Sequence, residues 1–430
     1  MTSRDAAVGL FGSEVVMPHR LLLQRHAQTA VDAALSDTRV VLVQGARQVG
    51  KSTIAKLVAE RDGGRWTSLD RAQFRQAAQA DPDGFVHGDW RPLVVDEVQR
   101  VPDLLLSIKA EVDEDPRPGR FLLTGSSRVL NMRGVADALP GRMETVELWP
   151  LSQGEIDQTP DGFVDMVFTQ GPQARHDSDE TREGYLGRLV RGGFPEMLDR
   201  SDARARRYLD QYLADLVNRD AIQVLAVERP DELRALVRLV AGRSGELLVP
   251  NNLAQRMAVS APTVSRYLAA LEEVFLIKRI PAWSRSTTTR AVGTPKVAFV
   301  DSGIAARQLG ASAASLAAPA SALGGLLEGF VAMEIARQLT WSEHEVELFH
   351  YRTRDGTEVD IVLQDPTGQV VGIEVKAAMS VREHDFRGLR HLADRLGGDL
   401  LVGIVFYLGR ETLSFGPRLK AMPVASLWET

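Results

Sequence analysis

Gly45-Ala46-Arg47-Gln48-Val49-Gly50-Lys51-Ser52 fits the pattern G-x-x-x-x-G-K-S/T, and its surroundings decide the fold. The apolar run Val40–Gln44 precedes it and a helical stretch beginning near Ser52 follows, which is the strand, loop and helix context the pattern requires. Glycines let such a loop curl so that backbone N–H groups and the helix N-terminus converge on phosphate oxygens. Lys51 then reaches the β/γ oxygens, the Ser52 hydroxyl is placed to ligate Mg²⁺, and Thr53 completes the nucleotide-binding stretch.

Working outward, Leu93-Val94-Val95-Asp96-Glu97 is an apolar strand ending in two carboxylates. In P-loop chemistry the first acid, Asp96, holds the Mg²⁺ shell and the second, Glu97, polarises the attacking water. Another strand-and-helix unit, starting at Trp66–Leu69, lies between the two motifs, so an additional strand is expected to separate them in the sheet. The strand Phe121–Thr124 ends in Thr124-Gly125-Ser126-Ser127, where a hydroxyl can sense the γ-phosphate or simply cap a helix. From Val40 to Pro150 short apolar runs alternate with polar helical stretches, the pattern of βαβ units and a parallel sheet. This order resembles the additional-strand P-loop ATPases, the class that contains AAA+ proteins. Arg142 in Leu139-Pro140-Gly141-Arg142 is then a candidate arginine finger acting on a neighbouring subunit, with Arg128 as its competitor and a plain surface arginine as the alternative.

Composition bounds the rest. The 430 residues suit about three domains of roughly 150 residues each. With 51 Lys+Arg against 57 Asp+Glu, a globally basic, nucleic-acid-coating role is excluded, though a local basic patch is not. Zero cysteines exclude disulfides, thiolate metal sites and cysteine nucleophiles, so any metal is held by carboxylates and phosphates. The longest apolar run, Leu400–Leu408, contains a glycine and is far short of the roughly 20 residues that cross a bilayer. Asp5 and Glu14 interrupt what would be a signal core, so a cytoplasmic protein without a membrane partner is expected.

GARQVGKST, LVVDEVQ with VP shortly after, LLTGSS and LPGR…ELWPLS look like the bacterial and archaeal AAA-type ATPases paired with a DUF4143 C-terminal region. GGFPE at Gly192–Glu196, PKVAFVDSGIA at Pro295–Ala305 and the tail EVDIV…IEVKAA extend the resemblance over nearly the whole chain. It implies ATP as the nucleotide and ATPase activity, and it leaves the biological role open.

Leu253 to Leu268 has the layout of a helix, a short turn and a second helix with Pro262 in its first turn, similar to a winged-helix module. Thr263, Ser265 and Arg266 would lie on the recognition helix, and Trp283 to Arg290 would form the wing, bringing Arg285 and Arg290 to the same face. Between Asn251 and Lys296 seven basic residues face two acids, the local excess a duplex-contacting surface requires. The alternative is a packing module that touches no DNA.

The tail carries Glu358-Val359-Asp360-Ile361-Val362, a turn at Asp365-Pro366-Thr367-Gly368, and Ile373-Glu374-Val375-Lys376, which together read as a β-hairpin. Period-two alternation puts Glu374 and Lys376 on one face, and Glu328 lies on the preceding helix, Leu326–Leu339. This is the pattern of the PD-(D/E)XK nuclease fold. Asp360, Glu374 and Glu328 would hold Mg²⁺ or Mn²⁺, and Lys376 would orient the attacking water. A surface ion pair between Glu374 and Lys376 is the plain alternative.

The expected architecture is therefore α/β: an AAA-type ATPase domain (1–155), an exposed insertion (156–183), a helical region with a winged helix (184–310), a linker (311–325) and a restriction-endonuclease-like domain (326–430). The expected activity is ATP hydrolysis acting on nucleic acid, most simply DNA, with a homo-oligomer if the finger works in trans. The rival is a nucleotide-gated switch or scaffold that binds a protein or DNA partner and has no nuclease activity.

Overall fold

Four of the apolar runs read as strands before residue 150 form strands in the computed structural model, which describes residues 22–126, 139–221, 229–286, 290, 293–319 and 321–430, and the fifth, Val146–Trp149, only overlaps one that starts earlier. These are β1 (Val40–Gln44), β2 (Arg65–Ser68), β3 (Leu93–Asp96), β4 (Phe121–Gly125) and β5 (Met143–Glu147). They make one parallel sheet in the order β2-β3-β4-β1-β5. Val41 and Val43 enter the core on one face of the sheet, and Val40 and Leu42 enter the core on the other. Burial on both faces is why β1 is apolar without alternation.

A strand does separate β1 from β3, but it is β4. The strand of Trp66, β2, lies beyond β3 at the sheet edge. Because all five strands run the same way, the ends of β1, β3 and β4 meet at the carboxyl edge, where open α/β sheets bind ligands. Helix α1 (Lys51–Asp62) starts there.

Residues 156–183, expected as an exposed insertion, are packed in part. Helix α2 (Phe163–Gln170) buries Phe163, Val164 and Val167. The segment after it bonds the chain's end, Ser178 N–H to Arg410 O at 2.8 Å and His176 N–H to Thr412 Oγ1 at 3.0 Å. The acids that suggested exposure have partners: Asp177 accepts from Thr412 N–H at 2.7 Å and Glu180 from Arg188 at 2.7 Å.

The helical region contains α3 (Asp202–Asp215), α4 (Pro230–Ala241), α5 (Pro250–Met257) and α6 (Ala261–Glu273). Ala258 takes a left-handed conformation (φ 55°) that ends α5, and Ser260 caps α6 by accepting from Thr263 N–H at 3.2 Å. Strands β6 (Ile277–Ile280) and β7 (Lys296–Phe299) follow as an antiparallel pair.

In the tail, α7 (Leu323–Gln338) precedes β8 (Glu347–Arg352), β9 (Glu358–Gln364), β10 (Val370–Lys376), α8 (Arg387–Leu396), β11 (Leu400–Tyr407), β12 (Leu413–Gly416) and β13 (Leu419–Pro423). The sheet order is β12-β13-β11-β10-β9-β8, antiparallel through β8-β9-β10 and parallel from β10 to β11 and β13. The anticipated hairpin is β9–β10, with Ile361 opposite Ile373.

Helix α7 is buried from Phe330 to Gln338 and ties the regions together. Arg337 donates to Pro150 O (2.9 Å), Val300 O (2.8 Å) and Glu334 (2.9 Å), while Glu334 accepts from Gln153 N–H (2.9 Å). A buried guanidinium with this many acceptors is fully satisfied, so α7 joins the first sheet to the tail rigidly. The stretch expected as a linker, 311–325, is mostly exposed but buries Leu316 and Leu323. Among the described residues no helix is long and apolar enough to cross a membrane.

Candidate functional site

The loop between β1 and α1 approaches the chain so closely that a Cβ on Gly45 would lie 2.0 Å from Leu148 O, and Gly50 has φ +102°. Only glycine fits either place. Ala46 and Val49 are buried in the core, so they serve the loop through their backbone, whereas Gln48 and Thr53 are exposed. Lys51 donates to Gly45 O at 3.0 Å and Ala46 O at 2.7 Å.

Asp96, at the end of β3, is the hub. Its Oδ1 accepts from Ser52 Oγ and from Thr124 Oγ1, both at 2.7 Å, and its Oδ2 accepts from Ser68 Oγ at 3.0 Å. Thr124 is fully buried and also accepts from Glu97 N–H at 3.0 Å, so it buttresses the two acids. Glu97 itself sits at φ 58°, ψ 48°, a left-handed conformation that a glutamate rarely adopts and that concentrates at functional sites. Its Oε2 accepts from Ser126 Oγ at 3.0 Å and from the Gln99 amide. Ser127, the other hydroxyl anticipated here, lies outside the described residues. The oxygen donors of Ser52 and Asp96 fit Mg²⁺.

Several neighbours of the loop carry no motif and were missed. Arg25 donates to Val49 O (2.5 Å), Trp149 O (2.7 Å) and Glu155 Oε1 (3.0 Å), pinning the loop from behind. From α3, Tyr212 donates to Arg47 O at 3.5 Å and Tyr208 donates to the Gln48 side chain.

In the tail the four anticipated residues do converge, around a fifth that was not anticipated. Lys296, the first residue of β7, donates to Glu328 Oε1 at 2.5 Å and Asp360 Oδ1 at 3.1 Å. Asp360 Oδ2 accepts from Val375 N–H at 3.0 Å, and Lys376 donates to Glu374 Oε2 at 3.2 Å. Burial, then the charge of Asp360, pushes Glu328 and Glu374 each up to about 8. Burial alone would lower Lys296, but Asp360 and then Glu328 hold its ammonium above the ordinary lysine range. Among the described residues no three His, Asp or Glu side chains are grouped to hold a metal ion, so the structure lends the expected ligand set of Glu328, Asp360 and Glu374 no support. The Lys296 ammonium bridges two of the three acids.

Family models match three consecutive stretches of the chain: an AAA domain over residues 37–157, a domain of unknown function (DUF8612) over 182–315, and a domain of unknown function (DUF4143) over 323–427. The chain is an AAA-type ATPase with a DUF4143 C-terminal region. An uncharacterized protein of Mycobacterium tuberculosis is 28% identical over 359 residues, covering 83% of this chain and 74% of that protein. One of Haemophilus influenzae is 21% identical, covering 66% and 65%. Among solved structures, the Walker-type ATPase PABY2304 of Pyrococcus abyssi matches 66% of this chain and 94% of its own at 14% identity and TM-score 0.37. The RuvB Holliday junction branch migration motor of Thermotoga maritima matches 59% and 89% at 18% identity and TM-score 0.25.

In the AAA domain, Arg142 O accepts from Val40 N–H, which puts Arg142 at the end of the sheet opposite the phosphate loop. Its guanidinium pairs with Asp113 at 2.5 Å, away from the phosphate loop of its own chain. Arg128 lies outside the described residues. In the helical region Ser265 and Arg266 are exposed on α6, and the Thr263 hydroxyl lies 2.7 Å from Ser260 Oγ. The segment expected as a wing is turned onto the DUF4143 region instead. Trp283 N–H donates to His350 O at 2.6 Å and its indole to Gln364 at 3.0 Å. Arg290 stacks on Phe349 (4.9 Å) and Trp283 (5.6 Å), and Arg285 pairs with Asp399 at 2.9 Å. Residues 287–289 of that segment lie outside the described residues.

Proposed function

We propose that this AAA-type ATPase hydrolyses ATP and couples the cycle to nucleic acid held on the exposed face of α6. The observation that carries the first half is the Asp96 carboxylate gripped by Ser52 and Thr124 beside a left-handed Glu97. Loop N–H groups and the N-terminus of α1 bind the phosphates, and Lys51 neutralises their charge. Ser52 and Asp96 would hold Mg²⁺, which supplies further charge neutralisation on the phosphates. Glu97 orients a water and takes its proton as the water oxygen bonds to the γ-phosphorus and the bond from the γ-phosphorus to the bridging oxygen breaks, giving ADP and phosphate. Arg142 of a neighbouring copy would stabilise that transfer, which requires a homo-oligomer.

For nucleic acid, Ser265 and Arg266, exposed side by side on α6, support a winged-helix contact. The order α7-β8-β9-β10-α8-β11 supports a restriction-endonuclease-like fold for the DUF4143 region. A second reading, a nucleotide-gated switch without nuclease activity, is favoured by Lys296 among the tail's acids. Phosphate release with and without single- and double-stranded DNA and RNA tests the proposal, using Glu97→Gln as control. Glu97-dependent turnover that a nucleic acid stimulates is expected. Glu97-dependent turnover that no nucleic acid alters, with none bound, would remove the nucleic-acid half and leave the switch.

A further inference from the structure

We infer that Lys296 is the built-in counter-cation of the DUF4143 carboxylates, standing where a nuclease of this fold would hold a divalent metal, so that the tail cleaves no phosphodiester and is latched to the helical region. The inference rests on the restriction-endonuclease-like reading of the tail and deepens it.

The geometry leaves little for a metal to do. Lys296 is 3% exposed and bridges Glu328 and Asp360. The second oxygen of Asp360 is taken by Val375 N–H. Glu374 is held by Lys376. Glycine backbones close the flanks: a Cβ on Gly245 would lie 2.8 Å from the Glu328 carboxyl carbon, and one on Gly388 would lie 2.8 Å from Glu374 Oε1. His350, packed nearby, has its Nε2 2.9 Å from Thr294 O, which fixes that nitrogen as the donor, and burial pushes the ring's pKa down to about 4, so it adds no cation.

The charges point the same way. Three acids face two lysines, so ammonium groups within the cluster already offset most of its negative charge. A divalent ion beside the Lys296 ammonium would meet like charge in a buried site, where such repulsion is strong. Lys296 comes from β7 in the helical region, while its partners come from α7 and β9. The ion bridge therefore locks the two parts together rather than preparing a reaction.

The test is Mn²⁺ titration followed by electron paramagnetic resonance, without nucleotide, on the full chain as wild type, Asp360→Asn, Lys296→Met and the Lys296→Met/Asp360→Asn pair. Wild type and Asp360→Asn are expected to take up equal Mn²⁺, and Lys296→Met to gain a binding equivalent that the added Asp360→Asn removes. Uptake by wild type that is lost in Asp360→Asn overturns the inference and restores the metal site. A folded Lys296→Met that gains nothing also overturns it, and indicts the nuclease-like reading of these acids rather than the ATPase. If Lys296→Met does not fold, the comparison of wild type with Asp360→Asn decides alone: equal uptake supports the inference and unequal uptake sinks it.

Discussion

Tyr208 of helix α3 donates a hydrogen bond to the side chain of Gln48 in the phosphate loop, 160 positions away in sequence. Gln48 holds a left-handed backbone (φ 64°), an uncommon state for a residue with a side chain, so a tether at this point helps to fix the loop. Tyr212 stacks beneath Tyr208 at 6.2 Å, and the Arg200 guanidinium covers the ring at 4.8 Å. The helical region thus rests directly on the phosphate loop.

Tyr208→Phe keeps the stack and removes only the hydroxyl. A hydrogen bond of this kind contributes about 1 kcal/mol, or roughly fivefold in an equilibrium. The expected result is a KM for ATP raised several-fold with kcat little changed, read from steady-state phosphate release. An unaltered KM would show that the loop keeps its shape without α3.

Glu97→Gln should reduce turnover by about 10² to 10⁴, the usual contribution of a positioned base, while nucleotide binding persists. The amide still offers an oxygen to Ser126, so the fold around β3 is retained. Fluorescent nucleotide binding measured beside phosphate release separates the two effects. A variant that binds nucleotide and turns over at the parent rate would remove Glu97 from the chemistry.

The nucleotide site was legible because its residues are set by short-range spacing: a loop, a strand end, and a helix that must follow. That a strand separates β1 from β3 was legible, but which strand it is was not, because strand order is a long-range property, fixed by which faces pack. Lys296 carried no signal at all. It counted as one basic residue among seven on a supposed duplex face, yet it is buried against acids from two later elements. The contacts of Arg285 and Arg290 with the tail were illegible for the same reason, since a sequence records a charge but not its partner.

That difference among the arginines is measurable. Arg266→Ala should weaken duplex binding and flatten its salt dependence with only a small change in melting temperature, because Arg266 is exposed on α6 and packs on one ring, Tyr267, at 5.8 Å. Arg290→Ala should instead lower the melting temperature, since Arg290 packs against two rings and bonds Gln364 across the contact with the tail. A partly buried cation–π pair contributes about 0.5–2 kcal/mol, enough for a shift of a few degrees. Equal loss of duplex binding in both variants, at equal stability, would return Arg290 to the nucleic-acid face.

The last prediction concerns Asp161, which is fully buried, sits at φ 62° and accepts from Gln338 Nε2 at 3.0 Å. Burial, reinforced by the nearby charge of Glu334, raises its pKa well above the ordinary carboxylate range. The folded chain therefore keeps a proton that the unfolded chain releases once pH passes about 4. The resulting stability is complete below that point and is lost as pH rises toward the folded value. Melting temperature should fall as pH rises above about 4, and Asp161→Asn should flatten the fall, because the amide keeps the oxygen that Gln338 needs and has no proton to lose. Asparagine also tolerates the left-handed backbone, so the substitution adds no strain. Glu334 is raised by burial as well, so some slope persists in the variant. Parallel curves for parent and Asp161→Asn would mean that Asp161 is already ionised across this range, and that the packing of α7 against the first sheet tolerates a buried charge there.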